Sequence, residues 1–314
     1  MAMTPRNPRC NRFDTRTLFA ALVVAVTVPA CGEEFDPPSL IEKTRVLGAT
    51  VEVVGDPTRA TPRPGESATV TWIMAAPEAL PPLAWLFVVC RYGASPAEAC
   101  APAPRAVAQG TGTPTFEVAV PTADVLGTTP RLQLFGQICQ DSAPTIDPAT
   151  NLPACAGGGT MATLDIYLQL GEQANHSPAL VDRPFWFDGA DWPADGAALD
   201  CASMPRVAAG STGHVLRLAT LAEDRETIVT PSADPTVVST TTREVLQISN
   251  FTTAGKLGQS YSFVEASDPR SEADVDVTWD APSVSPIEGR VHFTFVARDL
   301  RGGVGVATRT VCLE

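Results

Sequence analysis

Residues 290–313 read RVHFTFVARDLRGGVGVATRTVCL. Val291, Phe293, Phe295 and Ala297 alternate with His292, Thr294, Val296 and Arg298. A period of two puts one face of a strand in a core and the other in water. Asp299-Leu300-Arg301-Gly302-Gly303 then supplies a hairpin tip, with glycines where positive φ is needed.

The same pattern runs through the rest of the chain. Val275, Val277 and Trp279 alternate with Asp274, Asp276 and Thr278; Leu246 and Ile248 flank Gln247; Leu216 and Leu218 flank Arg217. In the first half, Val70, Trp72 and Met74 alternate with Thr69, Thr71 and Ile73, and Phe116, Val118 and Val120 with Glu117 and Ala119. Leu132 and Leu134 follow suit, as do Leu164, Ile166, Leu168 and Leu170. PRPGES, residues 62–67, is turn chemistry just before a strand, and no long stretch carries a helical stripe. Many short strands broken by Gly and Pro predict an all-β protein of two tandem β-sandwich domains. GEQANHSP, 171–178, is polar and unpatterned, so the expected boundaries are 45–172 and 182–314 around a linker, 173–181.

The first sixteen residues carry Arg6, Arg9, Arg12 and Arg16 against Asp14, and residues 17–28, TLFAALVVAVTV, carry no charge. That run is shorter than the roughly 20 residues a spanning helix needs, and it fits the apolar core of a secretory signal. Val28-Pro29-Ala30-Cys31 resembles a bacterial lipobox. The resemblance implies cleavage before Cys31, diacylglycerol on its thiol, and a signal peptide of residues 1–30. Gly32 comes next rather than Asp, which by the same resemblance points to the outer membrane of the bacterial cell envelope. CGEEFDPPSLIEKT, 31–44, reads as a lipidated tether. Removing the leader leaves 18 basic against 34 acidic residues, a net charge near −16. Such a chain should not track nucleic-acid phosphates and is repelled by anionic headgroups, so the lipid must make the membrane attachment.

The segments FTTAGKLGQ, VDVTWDAP and EGRVHFTFVARDLRGGVGVATRTVCL are similar to bacterial immunoglobulin-like and PKD-like domains, over residues 245–313. The first half matches more loosely, through PGE before Val70–Met74 and the strand around Trp85. The whole layout is similar to lipoproteins of myxobacteria, a resemblance that implies no activity. Cys10 falls in the leader. The remaining six cysteines, Cys90, Cys100, Cys139, Cys155, Cys201 and Cys312, read as three disulfides, with 15 connectivities open. If residues 83–90 and 131–139 are the antiparallel strands C and F of such a sandwich, Cys90 and Cys139 stand at opposite ends. Cys90 then closes its loop with Cys100, and Cys139 with Cys155. Cys201 and Cys312 would tie the ends of the second domain.

No G-x-S-x-G, phosphate loop or dinucleotide fingerprint occurs, and the sequence implies no cofactor. GSTGH, 210–214, puts Ser211 near His214 but reads as a turn before a strand. His176 sits in the linker and His292 on a polar strand face; with no cysteine pair at zinc spacing, no metal site is expected. Glu265, Asp268, Glu272, Asp274, Asp276 and Asp299 offer oxygens suited to calcium, but Asp274 and Asp276 sit where a solvated strand face should be. RPFWFDGADWP, 183–193, groups Phe185, Trp186, Phe187 and Trp192. These residues either pack or, if Trp186 and Trp192 are exposed and coplanar, stack on sugars. The leading expectation is a non-catalytic role: binding, adhesion or scaffolding with an envelope protein or polysaccharide. A carbohydrate-active or hydrolytic enzyme and a sugar-binding module are the alternatives.

Overall fold

The computed structural model describes residues 37–314, apart from 94, 102, 127–130, 172–173, 196–199, 231–239 and 271. Strands with apolar side chains on one face bury them where two sheets face each other, and here they do so twice. The first sandwich uses β1 (Arg45–Val53), β2 (Ser67–Ala75), β3 (Leu83–Arg91), β4 (Ala106–Thr111), β5 (Thr115–Ala119), β6 (Arg131–Gln140), a small hairpin of β7 (Pro144–Ile146) and β8 (Pro153–Cys155), and β9 (Thr160–Gln169). Sheet β1-β2-β5 faces sheet β4-β3-β6-β9. Val70, Phe116, Leu132 and Leu168 meet between them, with Trp72 stacked on Phe87 at 5.0 Å.

The second sandwich uses β10 (Phe185–Phe187), β11 (Ala190–Asp191), β12 (Arg206–Val207), β13 (His214–Thr220), the hairpin β14 (Thr227–Thr230) and β15 (Thr240–Arg243), β16 (Leu246–Thr252), β17 (Lys256–Leu257), β18 (Tyr261–Val264), β19 (Ala273–Asp280), β20 (Arg290–Arg298) and β21 (Val304–Leu313). Its sheets run β11-β10-β13-β19-β17 and β12-β21-β20-β16-β18. Phe185, Trp192, Trp279, Phe293 and Phe295 fill its core. The hairpin between β20 and β21 closes with Asp299 N donating to Gly303 O; positive φ falls on Gly302, at 116°, as expected, but also on Leu300, at 65°, rather than on Gly303.

Two sheet faces that an isolated sandwich would leave wet are dry. On the outer face of β3 and β6, Leu86, Val88 and Phe135 are covered by Ala99, Cys100, Ile146 and Leu152 of neighbouring loops. On the outer face of β20, Val296, with Phe251, Val304 and Val306, meets Ile41, Leu47 and Ile73. The outer face of β1 and β2 thus packs on the second sandwich. Arg298 reaches across it, donating to Ser249 Oγ at 2.8 Å and to Leu47 O.

The six cysteines form Cys90–Cys100, Cys139–Cys155 and Cys201–Cys312, with Cα separations of 4.9, 5.7 and 5.8 Å. Ala84 faces Cys139 and Cys90 faces Gln133, so about 20 Å of strand keeps Cys90 from Cys139. The Cys201–Cys312 bond closes a loop of 111 residues. Chain entropy gives about 4.7 kcal/mol for a loop of ~100 residues.

Parts of the expected tether, 31–44, and of the expected linker, 173–181, are packed into the body. Ile41 is fully buried; its N–H donates to Thr252 O, and Thr252 N–H donates to Ser39 O. A backbone ladder and an apolar slot hold residues 39–41, which the expected tether included. In the expected linker, Asn175 is buried, accepts from Ala60 N and donates to Asp299 Oδ2 at 2.9 Å. Leu180 enters the second core. Hydrogen bonds, not apolar spacing, fix residues 174–177, which is why no hydropathy pattern marks them.

Candidate functional site

The residues with the most chemical order lie at one end of the sheet containing β10, β13 and β19. Phe187-Asp188-Gly189-Ala190 makes the two-residue turn between β10 and β11, with φ 50° at Asp188 and 81° at Gly189, as a type I′ hairpin requires. The turn aims Asp188 at β13. Asp188 Oδ1 accepts from Val215 N at 2.8 Å, and Oδ2 lies 2.7 Å from His214 Nδ1. His214 Nε2 lies 2.7 Å from Ser211 Oγ. The imidazole stacks on Phe187 at 5.2 Å and leans on Trp279 at 5.7 Å, with its side chain 14% exposed.

Carboxylate, imidazole and hydroxyl in series are the parts of an activated serine nucleophile. With its proton on Nδ1 toward Asp188, His214 presents Nε2 as the acceptor for the Ser211 hydroxyl. A second acceptor competes: Ala208 O lies 2.6 Å from Ser211 Oγ. The neighbouring N–H groups are spent on the turn. Gly210 N donates to Pro282 O, Ser211 N to Ala208 O, and Gly213 N to Asp280 Oδ1. An oxyanion needs convergent free donors, and these three are occupied. GSTGH forms a turn leading into β13 and sets Ser211 against His214. Sequence reasoning missed Asp188; its signal was the Asp-Gly pair of FDGA, a hairpin turn that brings a carboxylate back beside the next strand.

Trp186 lies on the outer face of the same sheet, half-buried over an open hollow of about 540 Å³ lined by Asp188, Gly189, Val215, Arg217 and Asp274. Trp192 is 2% exposed in the core, and its Nε1 donates to Thr310 O. A paired Trp186–Trp192 platform is therefore corrected to a single indole. Trp192 directly follows β11, and its ring packs edge-on against Phe293. A second aromatic surface escaped sequence reasoning. Arg131 places its guanidinium 4.7 Å from the Tyr92 ring and 5.3 Å from the Tyr167 ring, both rings exposed.

The carboxylates considered for calcium do not converge. Asp276 pairs with Arg217 through bonds of 2.7 and 2.9 Å, which holds its pKa below the usual range. Asp268 pairs with Arg270, which lowers its pKa in the same way. Asp299 is buried and accepts from Arg301 N, Gly303 N and Asn175; burial pushes its pKa up. Among the described residues, no group of three His, Cys, Asp or Glu side chains is placed to hold a metal. His176 bonds Glu226, and His292 Nδ1 lies 2.9 Å from Thr310 Oγ1. Cys31 lies outside the described residues.

No protein-family model matches the chain, and no curated protein matches it.

Proposed function

We propose that this chain is a lipid-anchored protein of the bacterial cell envelope, held at the outer membrane through Cys31, with a non-catalytic binding or scaffolding role. One observation carries the reading: all six cysteines of the described body are joined in disulfides. Such bonds persist where thiols oxidise, outside the cytosol. The anchor supplies attachment; among the described residues no helix is long and apolar enough to cross a membrane. The Trp186 hollow and the Tyr92–Arg131–Tyr167 surface offer flat aromatic faces beside charged groups. That chemistry suits a polysaccharide ring or a loop of an envelope protein. Mass spectrometry of the membrane fraction is the test. The expected polypeptide begins at Cys31 with a diacylglyceryl thioether, and Cys31→Ala leaves the detergent phase. An intact, fatty-acid-free chain in the soluble cell interior overturns the reading.

The Ser211–His214–Asp188 series favours one other reading, a serine hydrolase. A fluorophosphonate probe that labels Ser211, and fails to label it in His214→Ala, would replace the non-catalytic role.

A further inference from the structure

One end of the body gathers the chain's first described residues and its most exposed apolar side chains. Ser39–Ile41 pairs with Thr252, and the next residue, Thr253, donates its N–H to His292 O. Thr253 and His292 line a hollow of about 340 Å³ together with Pro77, Glu78, Pro286, Ile287 and Arg290. Pro77 and Glu78 also line an adjoining hollow with Lys43 and Thr44. The point where the chain joins the body, the loop after β2 and the loop between β19 and β20 therefore share one end.

That last loop, SVSPIE at 283–288, carries Val284 at 78% and Ile287 at 97% exposure, and Leu80 on the loop after β2 is 40% exposed. Its stem is fixed. Ala281 N donates to Ser211 O, Pro282 O accepts from Gly210 N, Gly289 N donates to Pro286 O, and Leu313 N donates to Gly289 O. Pro286 stiffens the span between. An isoleucine held at a prominence gains by leaving water, and the described residues supply no cover for it.

Chain length points to the surface that covers it. Pro37, the first described residue, stands six residues after Cys31. At ~3.6 Å per extended residue that span reaches about 20 Å. An anchored Cys31 therefore keeps Pro37, and the end it leads into, within that distance of the lipid headgroups. Lys43 and Arg290 stand beside Glu78 and Glu288 around the loop, so the rim has no strong sign of its own. The mature chain's acidic balance disfavours anionic lipid.

We propose that this end of the body seats against the surface of the bilayer that holds the anchor, with Val284 and Ile287 inserted among zwitterionic headgroups. The inference rests on the lipid anchor proposed for Cys31 and adds a second attachment that fixes the body's orientation. The outer face of β10, β13 and β19 is then a side wall, free for a partner.

The test uses the full lipoprotein, reconstituted into phosphatidylethanolamine–phosphatidylcholine vesicles containing brominated lipid, with the anchor read by mass spectrometry on the same sample. Ile287→Trp should show a blue-shifted indole emission quenched at least twofold more than that of wild type. Val54→Trp, 55% exposed just past the far end of β1, should match wild type. A lipidated protein in which Ile287→Trp is quenched no more than Val54→Trp overturns the inference and leaves the anchor standing. Quenching in a chain without fatty acid supports the loop's insertion and overturns the anchor. A blue shift that instead grows with protein concentration in lipid-free detergent assigns the loop to a second copy of the chain and overturns the membrane seat.

Discussion

The outer face of β3–β6 and the outer face of β20–β21 solve one problem in two ways. Both carry apolar side chains where a free-standing sandwich would show polar ones. The first is covered locally by loops, each closed by its own disulfide: Ala99 and Cys100 come from one, Ile146 and Leu152 from the other. The second is covered by a neighbour, with Leu47, Ile73 and Ile41 laid on Val296, Val304 and Val306. The first cover depends on covalent closure of 10- and 16-residue separations, the second on packing between two bodies distant in sequence. A disulfide here does more than staple a loop: it holds a lid on a sheet.

Emptying the docked face should produce the largest effect. Leu47→Ala combined with Ile73→Ala removes two well-buried side chains at about 2–5 kcal/mol each. Because the contact joins the two sandwiches, urea denaturation should lose its single transition and show two steps. One transition shifted by the full amount would instead mean that the hydrogen bonds of residues 174–177 suffice to couple the sandwiches. Opening the stapled face should cost less and stay local. Replacing Cys139 and Cys155 by Ser together should remove about 3 kcal/mol, and the Cys90 and Cys100 pair ~0.4 kcal/mol less, by loop length alone. Calorimetry of each double mutant ranks them. A larger loss for the Cys90–Cys100 pair would show that its lid, with Val88 fully buried beneath it, matters more than its loop.

The strand pattern made the two cores legible, because inward residues such as Val70, Trp72, Phe293 and Phe295 recur at every second position. The disulfides join the partners that the sandwich resemblance implied, although separating Cys90 from Cys139 by strand direction alone leaves most of the 15 connectivities open. The docked face was written in the same code but not read. Ile73, Val296, Val304 and Val306 are apolar at outward positions, where Asp274, Asp276 and Arg217 are polar. Period two separates the faces of a strand; only the chemistry of the second face says whether it is covered. The Asp188–His214–Ser211 series stayed hidden for another reason. Asp188 approaches His214 through a hairpin and a strand pairing, and a spacing of 26 residues between them carries no local signal.

The junction beside the docked face should respond to pH. Burial raises the Asp299 pKa above the ordinary aspartate value of 3.8. An acid so shifted binds its proton more readily in the folded state, so its contribution to stability declines as pH rises from 3.8 through the raised value. Glu66, lowered from 4.5 by its bond to Arg59, works oppositely: its contribution is present above 4.5 and lost as pH falls through the lowered value. Asp299→Asn keeps an oxygen for Arg301 N and Gly303 N, and the unpartnered Asn175 side-chain oxygen can turn to the new amide. The melting temperature of Asp299→Asn should therefore fall less than that of wild type as pH rises above 3.8. Identical slopes would show that Asp299 does not titrate across this interval.

The smallest effect belongs on the face that neither lid nor neighbour covers. Arg217 and Asp276 pair there with both side chains nearly half exposed, beside Trp186 and Asp274. Water competes for such a pair and salt screens it, so Arg217→Ala should leave the denaturation midpoint unchanged. Its effect is electrostatic: without the guanidinium, the Asp276 pKa should return toward the ordinary aspartate range, read by NMR titration of the carboxyl carbon. A midpoint loss comparable to that of a lid disulfide would contradict the division between covered and open faces, because it would make this face a structural one. Unchanged stability with a shifted Asp276 marks it as free surface, carrying an indole, a guanidinium and carboxylates on the second sandwich.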